Sequence, residues 1–217
     1  MGRMSVGMRS VTILGATGSV GRSTLDLIER DPERYRVRAL TANRDVPGLA
    51  EAALRVRAER AVIGDESLLA QLKDALSGSG TEAAAGGEAI IEAAASGADW
   101  TMAAIVGCAG LKPVMAALKG GRTIALANKE ALVSAGDVMV RAARESGARL
   151  LPVDSEHNAI FQCFDSARPA TIRRVTLTAS GGPFRRTSLE DMRAVTPAQA
   201  VAHPNWSMGA KISVDSA

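Results

Sequence analysis

The 217-residue chain is 47% apolar and 23% charged, enough to bury a core, which excludes a disordered or fibrous polymer. A net charge of +3 and an aromatic content of 3% provide neither the basic footprint nor the stacking platforms of a nucleic-acid binder. Two distant cysteines, Cys108 and Cys163, exclude a disulfide framework and point to a reducing, cytoplasmic setting, and no apolar run approaches the roughly 20 residues of a membrane span.

The opening "MGRMSVGMRS" (1–10) has basic residues but no apolar centre, and reads as a loose extension rather than a secretory leader. "VTILG" (11–15) predicts a strand and 19–30 a helix. The same pair repeats as strand 36–42 with helix 46–57, then strand 60–64 with helix 66–76. The small-residue stretch 77–87 reads as a surface connection, followed by a helix over 88–96. Strands at 100–107, 122–127 and 149–153 alternate with helices at 111–119 and 130–146. Near-continuous apolar strands alternating with helices predict an α/β class, a Rossmann-like doubly wound parallel sheet spanning 11–153. The pattern changes beyond 153. "IRRVTLTAS" (172–180) alternates basic and apolar residues, as a strand with one wet face would, and the chain then runs loop-like to 217 without a closing helix. Residues 154–217 therefore read as the start of a second, α+β domain, truncated.

Ligands of open α/β sheets bind beyond the carboxyl ends of the strands. Five strand ends here carry polar or glycine-rich sequence: "GATGSVG", "TANRD", "GCAG", "NKE" and "DSE". In "GATGSVG", Gly15, Gly18 and Gly21 fit a turn that brings backbone N–H groups to a pyrophosphate at a helix N-terminus; a plain packing turn is the bland reading. At the end of the second strand Arg44 suits a 2′-phosphate and Asp45 a ribose hydroxyl, favouring NADP over NAD, against a solvated turn. Asn128 either caps a helix or borders a ligand, and Lys129 is placed for an anionic substrate. Asp154 and Glu156, two apart, share one side of an extended segment and would hold a hard divalent ion; the other reading is a helix start capped by Ser155. His157 reads as a hydrogen-bonding residue rather than a ligand. "TASGGPFRR" could cradle a phosphate, and "HPNWSMGAK" could form a lid or simply pack.

Together "GATGSVG", "AIVGCAGL", "ALANKEALV", "LLPVDSEHNAIFQ", "TASGGPFR" and "HPNWSMGAKISVDSA" resemble the 1-deoxy-D-xylulose 5-phosphate reductoisomerase family, in order from residue 11 to 217. The resemblance implies an NADPH-binding Rossmann domain, a catalytic domain and a helical C-terminal domain. It implies rearrangement of a ketose phosphate and reduction of the resulting aldehyde to 2-C-methyl-D-erythritol 4-phosphate, on the non-mevalonate route to isoprenoids. It places Thr17, Gly18, Ser19 and Val20 on the cofactor phosphates, Asn43, Arg44 and Asp45 at the 2′-phosphate, and Asn128, Glu130 and Gly209 near the nicotinamide half. Asp154 and Glu156 become ligands of Mg²⁺ or Mn²⁺, with Co²⁺ an option. The phosphorylated sugar would meet Lys129, Ser155, Glu156, Ser180, His203, Trp206, Met208 and Ser216, with Lys129, Asp154, Glu156 and His203 as the catalytic set. A homodimer is implied at full length.

Asn43 and Asp45 depart from the family pattern, which has glycine and asparagine there, and an acid beside a 2′-phosphate bears on NADP preference. In the family, "DSA" leads into an asparagine, a lysine and a glutamate, the last a third metal ligand. These fall after Ala217, so the 217 residues alone are expected to be inactive. Two rivals remain: another NADP-dependent oxidoreductase, such as a semialdehyde dehydrogenase using Cys108, and a non-catalytic nucleotide-binding fragment.

Overall fold

The structure, a computed structural model, describes residues 7–177, 181–205 and 209–215. The chain divides into two compact units, residues 1–161 and 162–217.

In the first unit β1 (Arg9–Leu14), β2 (Tyr35–Ala42), β3 (Arg60–Ile63), β4 (Glu82–Ala85), β5 (Trp100–Ala103), β6 (Thr123–Leu126) and β7 (Arg149–Pro152) form one parallel sheet. The order is β4-β3-β2-β1-β5-β6-β7. The chain builds outward from β1 to β4, then crosses back to lay β5 on the other side of β1. That reversal creates the switch point at which doubly wound sheets open a crevice. Helices α1 (Ser19–Glu29), α2 (Val46–Arg55), α3 (Leu69–Ala75), α4 (Gly87–Ala94), α5 (Leu111–Lys119) and α6 (Lys129–Ser146) connect the strands, and α7 (Ser155–Cys163) follows β7.

Apolar side chains go to both faces, as the continuous apolar strands require. Val11, Ile13, Val37, Leu40 and Ile63 pack with Leu25 and Ile28 of α1, Leu49 and Ala53 of α2, and Leu72 of α3. Leu14, Ala103, Ile124 and Leu126 pack with Val114 and Leu118 of α5 and Met139 and Ala143 of α6. Each such large side chain contributes on the order of 1.5–3 kcal/mol when fully buried, so the core rests on many modest terms.

The β1–β2 register shifts between Val11, paired with Val37, and Thr12, paired with Ala39. Arg38 is the extra residue of a bulge, which lets Val37 and Leu40, an odd number apart, share one core cluster. The bulge sets the phase of the end of β2, from which Thr41 and Arg44 reach the site.

Three expectations from the sequence are corrected. Residues 77–87 are not only a connection: Glu82–Ala85 pair with Arg60–Ile63 as an edge strand. Residues 172–177 of the expected strand 172–180 are irregular, and 178–180 lie outside the described residues. Among its described residues the second unit has no strand to accept the backbone hydrogen bonds of that segment. The same unit does carry late helices, α8 (Pro197–Val201) and α9 (Ala210–Asp215). Helix α8 starts in a capping box, with Thr196 Oγ1 accepting from Gln199 N and Gln199 Oε1 accepting from Thr196 N.

Candidate functional site

Because every strand is parallel and β2, β1, β5, β6 and β7 are consecutive neighbours, the five polar strand ends lie side by side on one edge of the sheet. At about 4.8 Å per strand they span roughly 19 Å.

The β1–α1 turn uses its three glycines for three purposes. Gly15 sits at φ +87° and faces β5, where an added Cβ would meet Ala104 O at 2.7 Å. Its N–H donates to Thr41 Oγ1 (3.0 Å), and Ala16 N–H donates to Thr41 O (2.7 Å). Gly21 packs α1 on the turn itself: a Cβ there would lie 2.3 Å from Gly15 O. Gly18 is the open one, with only Gly15 O at 3.5 Å. Gly18 occupies the α1 N-cap, has no side chain to cap with, and precedes exposed Ser19. The N–H groups of that first turn therefore face outward without a capping side chain, the requirement for an anion at a helix N-terminus. Thr17 adds its carbonyl to Arg22 Nε (2.7 Å), and Val20 packs against the core.

At the end of β2, Asp45 is the N-cap of α2, its carboxylate accepting from Gly48 N (3.0 Å). Arg44 is 72% exposed in its side chain and pairs through Nη1 with Asp65 Oδ2 at 3.2 Å. The acid that faces Arg44 is thus Asp65, from the turn after β3, and not its neighbour Asp45. Asn43 lies against Gly64, where a Cβ would come 2.8 Å from Asn43 Oδ1.

Asn128 at the end of β6 is 3% exposed. Its Oδ1 caps α6 by accepting from Ala131 N (2.9 Å), and its Nδ2 donates to Ile105 O and to Gly107 O (2.7 Å). Gly110 leaves room for that amide, since a Cβ would lie 2.5 Å from Nδ2. Asn128 therefore clamps the β5 end to the β6 end, while Lys129 projects exposed from the first turn of α6 and Glu130 is half-buried beside it.

At the end of β7, residues 154–156 are not extended: α7 begins at Ser155, which corrects the expectation that the i, i+2 pair shares one side of a strand. Asp154 precedes the helix. Its carbonyl accepts the first helical bond from Asn158 N (2.9 Å), and its carboxylate meets His157 Nδ1 at 2.6 Å. Ser155 donates its hydroxyl to Glu156 Oε2 (2.9 Å). Asp154 and Glu156 still supply hard carboxylate oxygens at one helix start, the donor chemistry that Mg²⁺ or Mn²⁺ takes. Among the described residues no group of three acids, histidines or cysteines forms a ligand cluster.

In the second unit, Gly209 O accepts from Ser213 N (3.0 Å) and Ser213 Oγ (3.2 Å), and His203 Nδ1 accepts from Asn205 N (3.2 Å). Ser180, Trp206, Met208 and Ser216 lie outside the described residues. Cys108, the nucleophile of the rival reading, has its sulfur 3.7 Å from the Ser134 hydroxyl, which is no base to activate it.

The sequence pattern of 1-deoxy-D-xylulose 5-phosphate reductoisomerase matches residues 11–136, and that of its C-terminal domain matches 150–217. The chain belongs to this family. The reductoisomerase of Zymomonas mobilis subsp. mobilis is 66% identical over 209 residues, covering 96% of this chain and 54% of that protein. That of Rhodospirillum centenum is 60% identical over 211 residues, 97% and 52% respectively. A solved Zymomonas mobilis reductoisomerase in complex with NADPH superposes with a TM-score of 0.89 at 63% identity over 97% of this chain and 54% of the other. A reductoisomerase structure with NADPH, fosmidomycin and magnesium gives 0.89 at 43% identity over 96% and 54%. The chain spans about half the length of the curated relatives it matches. No helix among the described residues is long and apolar enough to cross a membrane.

Proposed function

We propose that this chain supplies the NADPH-binding and metal-binding part of an enzyme that isomerises and reduces 1-deoxy-D-xylulose 5-phosphate to 2-C-methyl-D-erythritol 4-phosphate. The observation that carries the reading is the side-by-side placement, on one sheet edge, of an uncapped glycine turn, an exposed arginine, an exposed lysine and a pair of carboxylates. Relatives whose structures hold NADPH, fosmidomycin and magnesium support it. In this reading residues 11–153 form the nucleotide domain and 154–217 begin the catalytic one, and the protein works in the cytoplasm as a homodimer.

The roles of single residues are assigned by the family resemblance, and the placement of the strand ends supports them. The turn at Thr17–Val20 receives the pyrophosphate on outward N–H groups, because Gly18 leaves the approach open. Asn43 and Asp45 fix the loop that presents Arg44 to the 2′-phosphate. Asn128 holds the β5 and β6 ends at a set separation, and with it the start of α6; there Glu130 would border the nicotinamide and Lys129 would meet the anionic substrate. Asp154 and Glu156 would hold the divalent ion, which supplies Lewis-acid polarisation of the substrate oxygens. Ser155, Ser180, His203, Trp206, Met208 and Ser216 would contact the sugar phosphate, with Gly209 at the cofactor.

The full-length protein should oxidise NADPH when the ketose phosphate and Mg²⁺ or Mn²⁺ are supplied. Asp154→Asn and Glu156→Gln should each lower that rate by about a hundredfold or more while leaving NADPH affinity unchanged. Normal activity in both variants would reduce these acids to a helix start.

A further inference from the structure

We propose that Asp65 is a positioning residue for nucleotide selection, holding the Arg44 guanidinium at the sheet edge so that a 2′-phosphate meets a donor already in place. The inference rests on the reading of Arg44 as the 2′-phosphate contact.

The turn after β3 is fastened to the turn after β2. Gly64 N donates to Ala42 O (2.7 Å), and Asp65 N donates to Asn43 O (2.9 Å). Gly64 fits tightly against Asn43, leaving no room for a side chain at position 64 between the two turns. The Asp65 backbone is therefore fixed one residue from Arg44. Its side chain is braced as well: Oδ1 accepts from Ser67 N (3.0 Å) and Ser67 Oγ (2.6 Å). Those bonds, with the nearby Arg44 charge, hold the carboxyl below the usual range against the opposing effect of burial, so it stays ionised. One oxygen is thus committed to the frame, and Oδ2 is left for Arg44.

The pair joins a 23% exposed acid to a 72% exposed arginine. An exposed ion pair of this kind contributes little to stability, so holding the fold together does not account for it. The contact of Arg44 with Asp65 runs through one guanidinium nitrogen, and the planar fork carries further N–H donors that suit a phosphate. Asp45, the other acid nearby, is turned into the α2 cap and does not compete for Arg44. Without the brace, the nucleotide itself must order a long, exposed side chain, which weakens binding. Repulsion between Asp65 and the phosphate acts in the opposite sense, and is screened at an exposed site. The two effects predict opposite signs for removal of the acid, which makes the assignment testable.

NADPH and NADH are titrated by calorimetry into the chain and its Asp65→Ala, Arg44→Ala and doubly substituted variants. Asp65→Ala should weaken NADPH by about two- to tenfold and leave NADH within twofold. Ser67→Ala, which loosens the brace but keeps the charge, should weaken NADPH less. In the Arg44→Ala background the Asp65 substitution should change the preference no further. NADPH affinity that is unchanged or raised in Asp65→Ala, or equal losses for both nucleotides, overturns the inference while the Arg44 reading stands, provided Arg44→Ala abolishes the preference. If Arg44→Ala leaves the preference intact, the reading of Arg44 fails and the inference falls with it.

Discussion

Gly18 and Gly21, three residues apart in one turn, should give opposite phenotypes when each is changed to alanine. At Gly21 the new Cβ would sit 2.3 Å from Gly15 O, 2.6 Å from Ala16 O and 2.7 Å from Ala16 C, all backbone atoms that no rotamer change can move away. Either α1 lifts off the β1–α1 turn or the turn deforms. Overpacking of this kind costs about 1–3 kcal/mol, and the distances here argue for the upper half. At Gly18 the only neighbour is Gly15 O at 3.5 Å, an ordinary contact, and the backbone φ of −76° suits alanine. The fold should lose there no more than the roughly 0.5–1 kcal/mol separating glycine from alanine at an N-cap. The same Cβ fills the space through which a pyrophosphate would reach the α1 N–H groups, so nucleotide binding should fall by more than tenfold, about 1.4 kcal/mol. Urea denaturation measures the first effect and NADPH titration of the folded variants the second. A Gly18→Ala chain that binds NADPH normally, or a Gly21→Ala chain as stable as the parent, would refute the division of labour within the turn.

Asn128→Ala removes a helix cap and leaves the Ile105 and Gly107 carbonyls without their donor in a partly buried setting, so it should cost about 1–3 kcal/mol, read as a lowered thermal midpoint. Asp99 accepts from Ser10 N and Ser10 Oγ at 2.8 Å each, stapling β1 to the start of β5. Those bonds, then Arg122 and Arg9, hold its carboxyl below the usual range despite partial burial. A depressed folded value means that the stabilisation is present above the ordinary carboxylate range and is lost as pH falls through the lowered one. Because the site is exposed, the amount is under about 1 kcal/mol. Asp99→Asn should lower stability at neutral pH by up to that amount, with the difference from the parent vanishing in acid, so its stability–pH curve is flatter there.

The sheet was legible because buried parallel strands are written as short apolar runs, and "VTIL" and "AVI" leave little choice. Strand β4 escaped because "EAAA" carries no β-branched or aromatic residue and follows "SGSG"; only pairing with β3 makes it a strand. Asp45 at the second strand end stands out in the sequence, but its partner does not, and nothing local marks Asp65 after the third strand. An Asp followed two residues later by proline is a helix-cap signal, and the structure spends Asp45 that way. Asp65 sits twenty-one positions beyond Arg44, and their contact depends on β2 and β3 being neighbours, which no local pattern states. For "DSE", alternation along a strand was the wrong period, because the strand ends at Pro152 and a helix starts at Ser155. Asn128 fits both a cap and a ligand neighbour in the sequence; in the structure its side chain makes the cap and the clamp to β5.

In the proposed function, one sheet edge brings a nicotinamide to a metal-held ketose phosphate. The most direct test follows the hydride itself. The full-length protein is given NADPH deuterated at both nicotinamide C4 positions, 1-deoxy-D-xylulose 5-phosphate and Mn²⁺, and the product is analysed by mass spectrometry. The expected result is 2-C-methyl-D-erythritol 4-phosphate carrying one deuterium at the former aldehyde carbon, formed in step with NADP⁺. Product without deuterium, or no NADPH oxidation with this substrate, would contradict the account.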